Sequence, residues 1–263
     1  MIPSELDNKY SRGVLGIITG SAKFPGAAVL TTASASATGL GMIRFHSNSG
    51  LAHLVLHSNP EVVVQPGAVT AWLAGSGIDG KRYSDVTTWL RHRWFSLLPK
   101  QSVPTILDAG ALHLAGKLDQ PTVITPHAGE LTRLLTERGI TVTSEAIEGN
   151  PKKWAVTASE KLGVMVLLKG SHTVVADGDS VIELPVATAW LATAGSGDVL
   201  AGILGALVAT NYIEILNDRK RLSEVAASAA FIHNSAALLA SRDAPISATH
   251  IIKYIPDAIR KFI

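Results

Sequence analysis

Residues Val164–Gly170 read Val-Met-Val-Leu-Leu-Lys-Gly, a run of five apolar side chains that ends at a lysine and a glycine. A strand with one face in water alternates apolar and polar residues, whereas an unbroken apolar run is typical of a strand covered on both faces. Val14–Thr19 has a similar character, and shorter runs of this kind recur between the two. The pattern predicts an α/β fold of three layers, with a mostly parallel central sheet and helices on both faces.

The apolar runs alternate with segments of helical pattern. Strands are predicted at Val14–Thr19, Met42–Phe45, Glu61–Val64, Val69–Leu73, Val103–Leu107, Thr122–Thr125 and Val164–Leu168. Helices are predicted at Pro25–Thr38, Ser84–Leu98, Ala111–Gly116, Gly129–Arg138, Pro151–Leu162, Asp198–Ala209, Leu222–Ala240 and Ala248–Lys261. Thr173–Ala176 and Ser180–Leu184 flank an Asp-Gly-Asp turn, which predicts a hairpin at the sheet edge. Because no internal repeat and no long linker occurs, we expect one domain over residues 1–263.

The composition excludes several classes of protein. The 263 residues are 47% apolar and 17% charged, which excludes intrinsic disorder. The 23 basic and 21 acidic side chains are scattered, so neither a nucleic-acid nor a membrane partner is expected. No cysteine is present, which rules out disulfides and cysteine-based zinc sites. The longest apolar run, Val199–Ala209, is far below the ~20 residues that span a bilayer. Residues 1–12 lack the apolar stretch of a signal peptide, so we expect a cytoplasmic protein.

The most informative junction is Leu191–Gly202, where small residues run directly into a helix with an aspartate in its first turn. Gly195 and Gly197 allow a ligand to approach the backbone, and the amides of residues 196–199 are predicted to be free helix-start donors, which favour phosphate. Asp198 is either a helix cap or a general base that takes a proton from a hydroxyl while the backbone holds a phosphoryl group. The two neighbouring glycines favour the interpretation of Asp198 as a general base.

A second junction, at the end of the strand quoted above, carries a lysine. Lys169 precedes Gly170 and the hydroxyls of Ser171 and Thr173, a combination that suits a nucleotide phosphate or ribose. The alternative is a solvated lysine at a turn.

His127 and Glu130 lie three residues apart between a predicted strand and helix, so they share a face if the helix has begun. One such pair is weak evidence for a metal, and no second histidine stands at zinc-ligand spacing, so no metal site is assigned. Glu130 is otherwise explained as a first-turn acid that complements the helix dipole.

Three further features have more than one interpretation. Gly75–Gly80 matches the spacing of a dinucleotide-binding loop, but neither the helix nor the acid that a Rossmann site needs follows it. The remaining interpretations of this segment are a loop that contacts a ligand and an ordinary turn. Asp108 follows a predicted strand and either points at substrate or caps the next helix. His233 lies on an alanine-rich helix, where a hydrogen-bonded core histidine is expected.

Together these junctions resemble the ribokinase-like superfamily and, more narrowly, its ADP/ATP-dependent NAD(P)H-hydrate dehydratases, from about Ser11 onward. Leu191–Gly202 is similar to the family pattern Leu-Ala-Thr-x-Gly-Thr-Gly-Asp-x-Leu-x-Gly, and Thr125–Glu130 fits Thr-Pro-His-x-Gly-Glu. The other matching segments are Gly20-Ser21 with Pro25–Ala28, Ile106–Leu112, and Lys169-Gly170 with Thr173. The departures from the pattern are Ser196 for threonine, Arg12 for lysine, and Ser76 for the proline of Gly-Pro-Gly, with Asp79 after it. The Ser76 departure leaves the shape of that loop open.

The resemblance implies repair of hydrated NADH and NADPH, called NADHX and NADPHX, which carry a hydroxyl at carbon 6 of the nicotinamide ring. Phosphorylation of that hydroxyl by ADP, or by ATP in some members, makes a phosphate leaving group, and elimination restores the ring double bond. It also implies Mg²⁺, a separate NAD(P)HX epimerase and a homo-oligomer. The alternatives are a vitamin-precursor kinase of the same fold and a non-catalytic nucleotide-sensing module, against which an intact Asp198 argues.

The resemblance further implies roles for individual residues. Asp198 would be the base on the ring hydroxyl, and the transferred phosphoryl group would be held by Gly195, Ser196 and Gly197. The adenine nucleotide would be bound by Lys169, Gly170, Ser171, His172, Thr173 and Gly197. The hydrated dinucleotide would be bound by Ala28, Gly77, His127 and Asp198, with Glu130 in the network around Mg²⁺ and phosphate.

Overall fold

The central sheet has eight strands in the part of the chain that the computed structural model describes, residues 2–80 and 86–262. The strands are β1 (Val14–Ile18), β2 (Met42–Phe45), β3 (Ala71–Ala74), β4 (Thr105–Leu107), β5 (Thr122–Ile124), β6 (Met165–Leu168), β7 (Val174–Asp177) and β8 (Ser180–Glu183). Their order is β2-β1-β3-β4-β5-β6-β7-β8. The first six strands in this order pair in parallel, whereas β7 and β8 pair antiparallel at one edge. The predicted mostly parallel sheet and its edge hairpin are confirmed.

Helices cover both faces of the sheet. The α-helices of the described ranges are α1 (Gly26–Thr38), α2 (Ser49–Ser58), α3 (Val86–Trp94), α4 (Ala128–Glu137), α5 (Ser144–Gly149), α6 (Pro151–Leu162), α7 (Ser196–Thr210), α8 (Tyr212–Asn217), α9 (Lys220–Ser241) and α10 (Ala248–Arg260). One apolar core lies between the sheet and α1, α2, α7, α9 and α10, and a second lies under α4, α5 and α6. The three-layer prediction is therefore confirmed. Within the same ranges, no helix combines the length and the apolar character that crossing a bilayer requires.

Some predicted elements differ from the structure. Glu61–Val64 is not a strand, because only Val63 pairs with the edge strand β2, in a segment with a proline on either side. The predicted helix Ala111–Gly116 is a 3₁₀-helix over Ala109–Leu114. The helices α2, α5 and α8 were not predicted. The predicted helix Ser84–Leu98 begins outside the described residues, and its described part is α3 followed by a 3₁₀-helix over Phe95–Lys100.

The carboxyl ends of the parallel strands lie together at one edge of the sheet, where ligands bind in open α/β folds. Chain order reverses at β1, which pairs with β2 on one side and β3 on the other. The glycine-rich start of α7 reaches this edge because α7 packs very closely on α1. A Cβ on Gly202 would collide with Ser34 Oγ and would lie 2.5 Å from the carbonyl oxygen of Thr31, so this approach requires glycine.

Candidate active site

The start of α7 presents two free backbone donors. Gly195 adopts φ +86° just before the helix, a conformation that favours glycine. The Ser196 amide donates to the Thr193 carbonyl and the Val199 amide donates to the Gly195 carbonyl, so the prediction of four free amides is wrong for these two. In the described part of the chain, the amides of Gly197 and Asp198 have no hydrogen-bond acceptor. Two amides and the helix dipole form a site for one small anion.

Lys169 adds a positive charge to this anion site. The position of a Cβ on Gly197 would be 3.7 Å from Lys169 Nζ, so the ammonium lies directly beside the helix start. Nζ is also 2.9 Å from Asp108 Oδ1 and 3.8 Å from Glu130 Oε2. Burial disfavours the charged form, but the carboxylates of Asp108 and Glu130 outweigh it and raise the pKa of Lys169. The side chain is only 19% exposed, so the alternative of a solvated lysine at a turn is wrong.

Asp108 holds Lys169 in place. It is 3% exposed, and its Oδ1 accepts hydrogen bonds from Lys169 Nζ and, at 2.8 Å, from Thr125 Oγ1. Its Oδ2 accepts one from Ser76 Oγ, also at 2.8 Å. Burial alone would raise the pKa of Asp108, but the charge of Lys169 and these hydrogen bonds lower it. No hydrogen bond from the next helix reaches its side chain, so the capping alternative is wrong.

The network that Asp108 organises was not predicted as a unit. Ser76, Asp108, Thr125 and Lys169 follow β3, β4, β5 and β6, which are four adjacent strands of the sheet. The signal available in the sequence was a polar residue one or two positions after each apolar run. To infer from this signal that the four residues lie together requires the order of the strands in the sheet, which local sequence patterns do not give.

Asp198 differs from Asp108 in its lack of hydrogen bonds. Its carboxylate is half-buried and accepts no hydrogen bond in the described part of the chain, so it is not a helix cap. Burial and the negative charge of Asp108 raise its pKa to about 7, with Lys169 acting in the opposite direction. A general base works best when its pKa lies near the operating pH. Asp198 therefore has the environment of a proton acceptor.

His127 and Glu130 begin α4 with reciprocal hydrogen bonds. His127 Nδ1 accepts from the amides of Gly129 and Glu130, and Glu130 Oε2 accepts from the amide of His127 at 2.9 Å. The histidine ring is mostly exposed and lines a cavity beside Lys169, whereas the Glu130 carboxylate is buried. No cluster of three or more potential metal ligands occurs among residues 2–80 and 86–262. The pair therefore builds the helix start and adds negative charge near Lys169.

Two large cavities lie beside this group of residues, one lined by Lys169 and His127 and the other by Glu130. One of about 520 Å³ is lined by residues predicted to bind nucleotide, namely Lys169, Gly170, Ser171, Thr173 and Gly197, and also by Ser196. His172 does not line this cavity but lines a neighbouring one of about 50 Å³. The second large cavity, of about 570 Å³, lies on the other side of Glu130 and is lined by Ile78 and Gly110. A larger cavity of about 730 Å³ lies between α9, α10 and the N-terminal segment, and none of these catalytic candidates lines it.

The loop Gly75–Gly80 packs against the turn between β1 and α1. The Gly20 amide donates to the Ser76 carbonyl at 2.7 Å, and Ser21 Oγ donates to the Gly77 carbonyl at 2.8 Å. Gly77 has φ +67°, and a Cβ there would collide with Ala27. The structure thus brings Gly77 close to the helix turn that contains Ala28, but the Ala28 side chain is fully buried and lines neither large cavity.

His233 on α9 is a buried histidine beside the site. It is 6% exposed and lines the 520 Å³ cavity, but its Nε2 has no hydrogen-bond partner in the described residues. Burial lowers its pKa to about 4, so the ring is neutral at physiological pH. It is a buried histidine with a hydrogen bond to the backbone of Ser196, so the expected hydrogen bonding holds for one ring nitrogen and not for Nε2.

The anion-binding helix start, the buried lysine and the carboxylate of Asp198 lie on a ribokinase-like α/β fold, similar to a ribokinase-like superfamily protein from Enterococcus faecalis at 21% identity and a TM-score of 0.81, covering 99% and 91% of the two chains. A family model described as NAD(P)H-hydrate dehydratase matches residues 15–257. The chain belongs to the NAD(P)H-hydrate dehydratase family.

Two curated relatives and one solved structure illustrate the similarity. The bifunctional NAD(P)H-hydrate repair enzyme Nnr of Mycobacterium tuberculosis is 39% identical over 80% of this chain and 43% of that protein. The ADP-dependent (S)-NAD(P)H-hydrate dehydratase of Neisseria meningitidis is 30% identical over 98% of this chain and 87% of that protein. A crystal structure of ADP/ATP-dependent NAD(P)H-hydrate dehydratase from Bacillus subtilis, co-crystallised with ATP/Mg²⁺, has a TM-score of 0.83 at 22% identity, covering 100% and 94% of the two chains.

The chain spans about half the length of the bifunctional relatives that it matches. The single-domain expectation for residues 1–263 stays a prediction.

Proposed function

We propose that this protein dehydrates the S epimers of NADHX and NADPHX to NADH and NADPH, with ADP or ATP as phosphoryl donor. The observation that carries the proposal is the start of α7, where two free amides, the Lys169 ammonium and the unpaired carboxylate of Asp198 lie together. The name of the Neisseria relative, which is similar over nearly the whole chain, supports the same activity and favours ADP.

In the first step of this proposal the oxygen on carbon 6 attacks the terminal phosphorus of the nucleotide. Asp198 takes the hydroxyl proton as the new oxygen–phosphorus bond forms and the bond to the departing nucleotide breaks. The amides of Gly197 and Asp198, with Lys169, hold the transferred group and stabilise its negative charge. A carboxylate with a pKa of about 7 suits this task because about half of it is deprotonated at neutral pH and it is a stronger base than an ordinary aspartate.

In the second step the bond between carbon 6 and oxygen breaks, and phosphate departs with the electron pair. The electrons of the bond between carbon 5 and hydrogen form the ring double bond, and the proton passes to the departing phosphate. The charge that develops on the departing phosphate lies at the same amides and the same lysine, so one anion site serves both steps.

The two cavities suggest where each substrate binds. We assign the nucleotide to the 520 Å³ cavity that Lys169–Thr173 and Gly197 line, with His172 outside it. We assign the dinucleotide to the 570 Å³ cavity, which Ile78 of the loop Gly75–Gly80 lines, with Gly77 and Ala28 contributing through that loop and the turn that supports it. His127 lines the nucleotide cavity, so its predicted contact with the dinucleotide would lie where the two substrates meet.

Magnesium fits this site as a companion of the nucleotide. Mg²⁺ in nucleotide sites commonly uses one or two carboxylates together with phosphates and water, and it needs no cage of protein ligands. Glu130 has the suitable chemistry, because its Oε1 accepts no hydrogen bond in the described residues and its Oε2 lies 3.8 Å from Lys169 Nζ, which lines the 520 Å³ cavity. When bound, the ion would neutralise charge on the phosphoryl oxygens.

The cellular location, the partner enzyme and the oligomeric state stay predictions. They are a cytoplasmic location, a separate NAD(P)HX epimerase and a homo-oligomer. The name of the bifunctional relatives supports the association with a second repair activity. The small-residue faces of α1 and α7 pack against each other within the chain, so subunit contacts would use other surfaces.

The test is incubation of the purified protein with NADHX and Mg²⁺, with ADP or ATP in parallel. We expect the absorbance of reduced nicotinamide to recover with release of one phosphate per NADH formed. A vitamin-precursor kinase would instead accumulate a phosphorylated product. No recovery with either nucleotide would contradict the proposal.

A further inference from the structure

A hydroxyl on the loop Gly75–Gly80 is connected to the anion site through two side chains. Ser76 Oγ donates to Asp108 Oδ2 at 2.8 Å, and Asp108 Oδ1 accepts from Lys169 Nζ at 2.9 Å. Lys169 Nζ in turn lies beside Gly197. Ser76 is fully buried and Asp108 nearly so, and low polarity makes such bonds strong and their loss costly.

The geometry gives the Ser76 hydroxyl a specific effect. Asp108 Oδ1 already serves Lys169 and Thr125, so Ser76 is the hydrogen-bond donor to Oδ2. With both oxygens held, the carboxylate cannot rotate, and the direction from which it binds the ammonium is fixed. Glu130 Oε2, at 3.8 Å from Nζ, is the competing acceptor toward which the ammonium would move if Asp108 turned.

We propose that Ser76 is a positioning residue, which through Asp108 holds the Lys169 ammonium at the anion-binding start of α7. The same contact links the loop Gly75–Gly80, on the dinucleotide side, to the site where a phosphoryl group binds. The inference deepens the proposed function, since it assumes that the Lys169 side of α7 binds the nucleotide phosphates. The proline that the family pattern has at this position has no hydroxyl to make the bond.

The test is a double-mutant cycle between Ser76→Ala and Lys169→Met, with binding measured by calorimetry. Ser76 and Lys169 each bond to Asp108, and no hydrogen bond joins them to each other in the described residues, so the cycle tests coupling through that carboxylate. The probes are inorganic pyrophosphate without metal, which reports the anion site alone, and ADP. We expect Ser76→Ala to weaken pyrophosphate binding roughly three- to tenfold, the size of the loss of one ordinary hydrogen bond, because Ser76 acts on the anion only through Asp108 and Lys169. In the Lys169→Met background we expect no further weakening.

Thr125→Val provides a second route, because Thr125 donates to the same carboxylate and its replacement keeps the shape of the side chain. We expect the same pattern of weakening and coupling. The matched control is Ser159→Ala, which removes a buried hydroxyl that bonds the Val164 carbonyl and the Gly178 amide away from the site. We expect this variant to lower the melting temperature without changing pyrophosphate affinity.

Equal weakening by Ser76→Ala in both backgrounds, or no weakening in the parent protein, would overturn the inference. The outcome is separate from that of the dehydratase assay. Coupled pyrophosphate binding in a protein that fails to convert NADHX would remove the proposed function and leave the positioning role. Conversion of NADHX without coupling would do the reverse.

Discussion

Asp108 and Asp198 are two aspartates near the same lysine, one at the end of β4 and the other in the first turn of α7. The strand-end site surrounds its carboxylate with two hydroxyls and an ammonium, and the pKa of Asp108 is lowered. The helix-start site gives Asp198 no hydrogen bond in the described part of the chain, and its pKa is raised to about 7. Two carboxylates with opposite surroundings divide the work: one positions a cation, and the other is free to move a proton.

The two aspartates also differ in their contributions, because Asp108 contributes to stability and Asp198 to the reaction. Asp108 is a satisfied ion, and removing one of its partners leaves charge buried without compensation. Asp198 lies in the first turn of α7, where Gly195 and Gly197 add no side chains beside its carboxylate. A reactive group of this kind is commonly retained at some cost to stability.

The largest expected effect is that of Asp198→Asn on turnover. Removal of the base should lower kcat by about 10²–10⁴-fold, the usual contribution of general base catalysis. Steady-state assays with NADHX and ADP measure the loss, and calorimetry should show ADP affinity within about threefold of the parent. Near-normal turnover would show that Asp198 is not the base.

Lys169→Met should have the next largest effect. Loss of the ammonium beside Gly197 removes a charged contact to the transferred phosphoryl group, and we expect kcat/KM for ADP to fall roughly 100-fold. The matched control is Lys161→Met, an exposed lysine on α6, which should leave both kcat and KM unchanged. Equal behaviour of the two variants would remove Lys169 from the site.

Asp108→Asn should shift the pH dependence of kcat. The charged groups that act on Asp198 are Asp108, after β4, and Lys169, after β6, while His233 on α9 is neutral. Asp198 works as a base when deprotonated, so kcat should rise with pH through about 7. Asp108→Asn removes a negative charge that raises the pKa of Asp198, so the rise should move to lower pH.

A second variant, Lys169→Met, tests the same assignment through a pH shift in the opposite direction. Lys169→Met removes a positive charge that lowers the pKa of Asp198, so the rise in kcat should move to higher pH. Rate profiles of the two variants between about pH 5 and 9 measure both shifts. Movement of both in the same direction would contradict the electrostatic assignment.

The smallest expected effect is on stability. Asp198 ionises near its ordinary pKa in the unfolded chain and only near 7 in the folded one, so folding becomes less favourable as pH rises between these values. Asp198→Asn should therefore raise the melting temperature by a few degrees at pH 8 and by much less at pH 4. Thermal scans at the two pH values measure the difference, and an equal change at both would argue against a raised pKa.

The sequence predicted the helix-start site better than the strand-end network. Glycines beside an aspartate at a helix start are a local signal, so Asp198 and Gly197 were identified with their neighbours. Asp108 was assigned to substrate or to a cap because its partners lie 17 to 61 residues away along the chain. Only the order of β3 to β6 brings them together.

The elements show the same limit. Long apolar runs and long helices were predicted at nearly their observed bounds, since burial on both faces leaves a strong pattern. The short helices α2, α5 and α8 were missed because segments of 6 to 10 residues give little periodicity, although Asn48 caps α2. Glu61–Val64 has strand-forming residues, but prolines on both sides leave room for a single pairing at Val63.

The contrast between the two aspartates can be measured directly by carbon-13 NMR titration of the side-chain carboxyl groups, with Asp198→Asn and Asp108→Asn used to assign the signals. The account predicts that the Asp198 carboxyl titrates near pH 7 while that of Asp108 stays ionised to well below its ordinary range. An Asp198 signal that titrates near 4, as in an exposed aspartate, would contradict it.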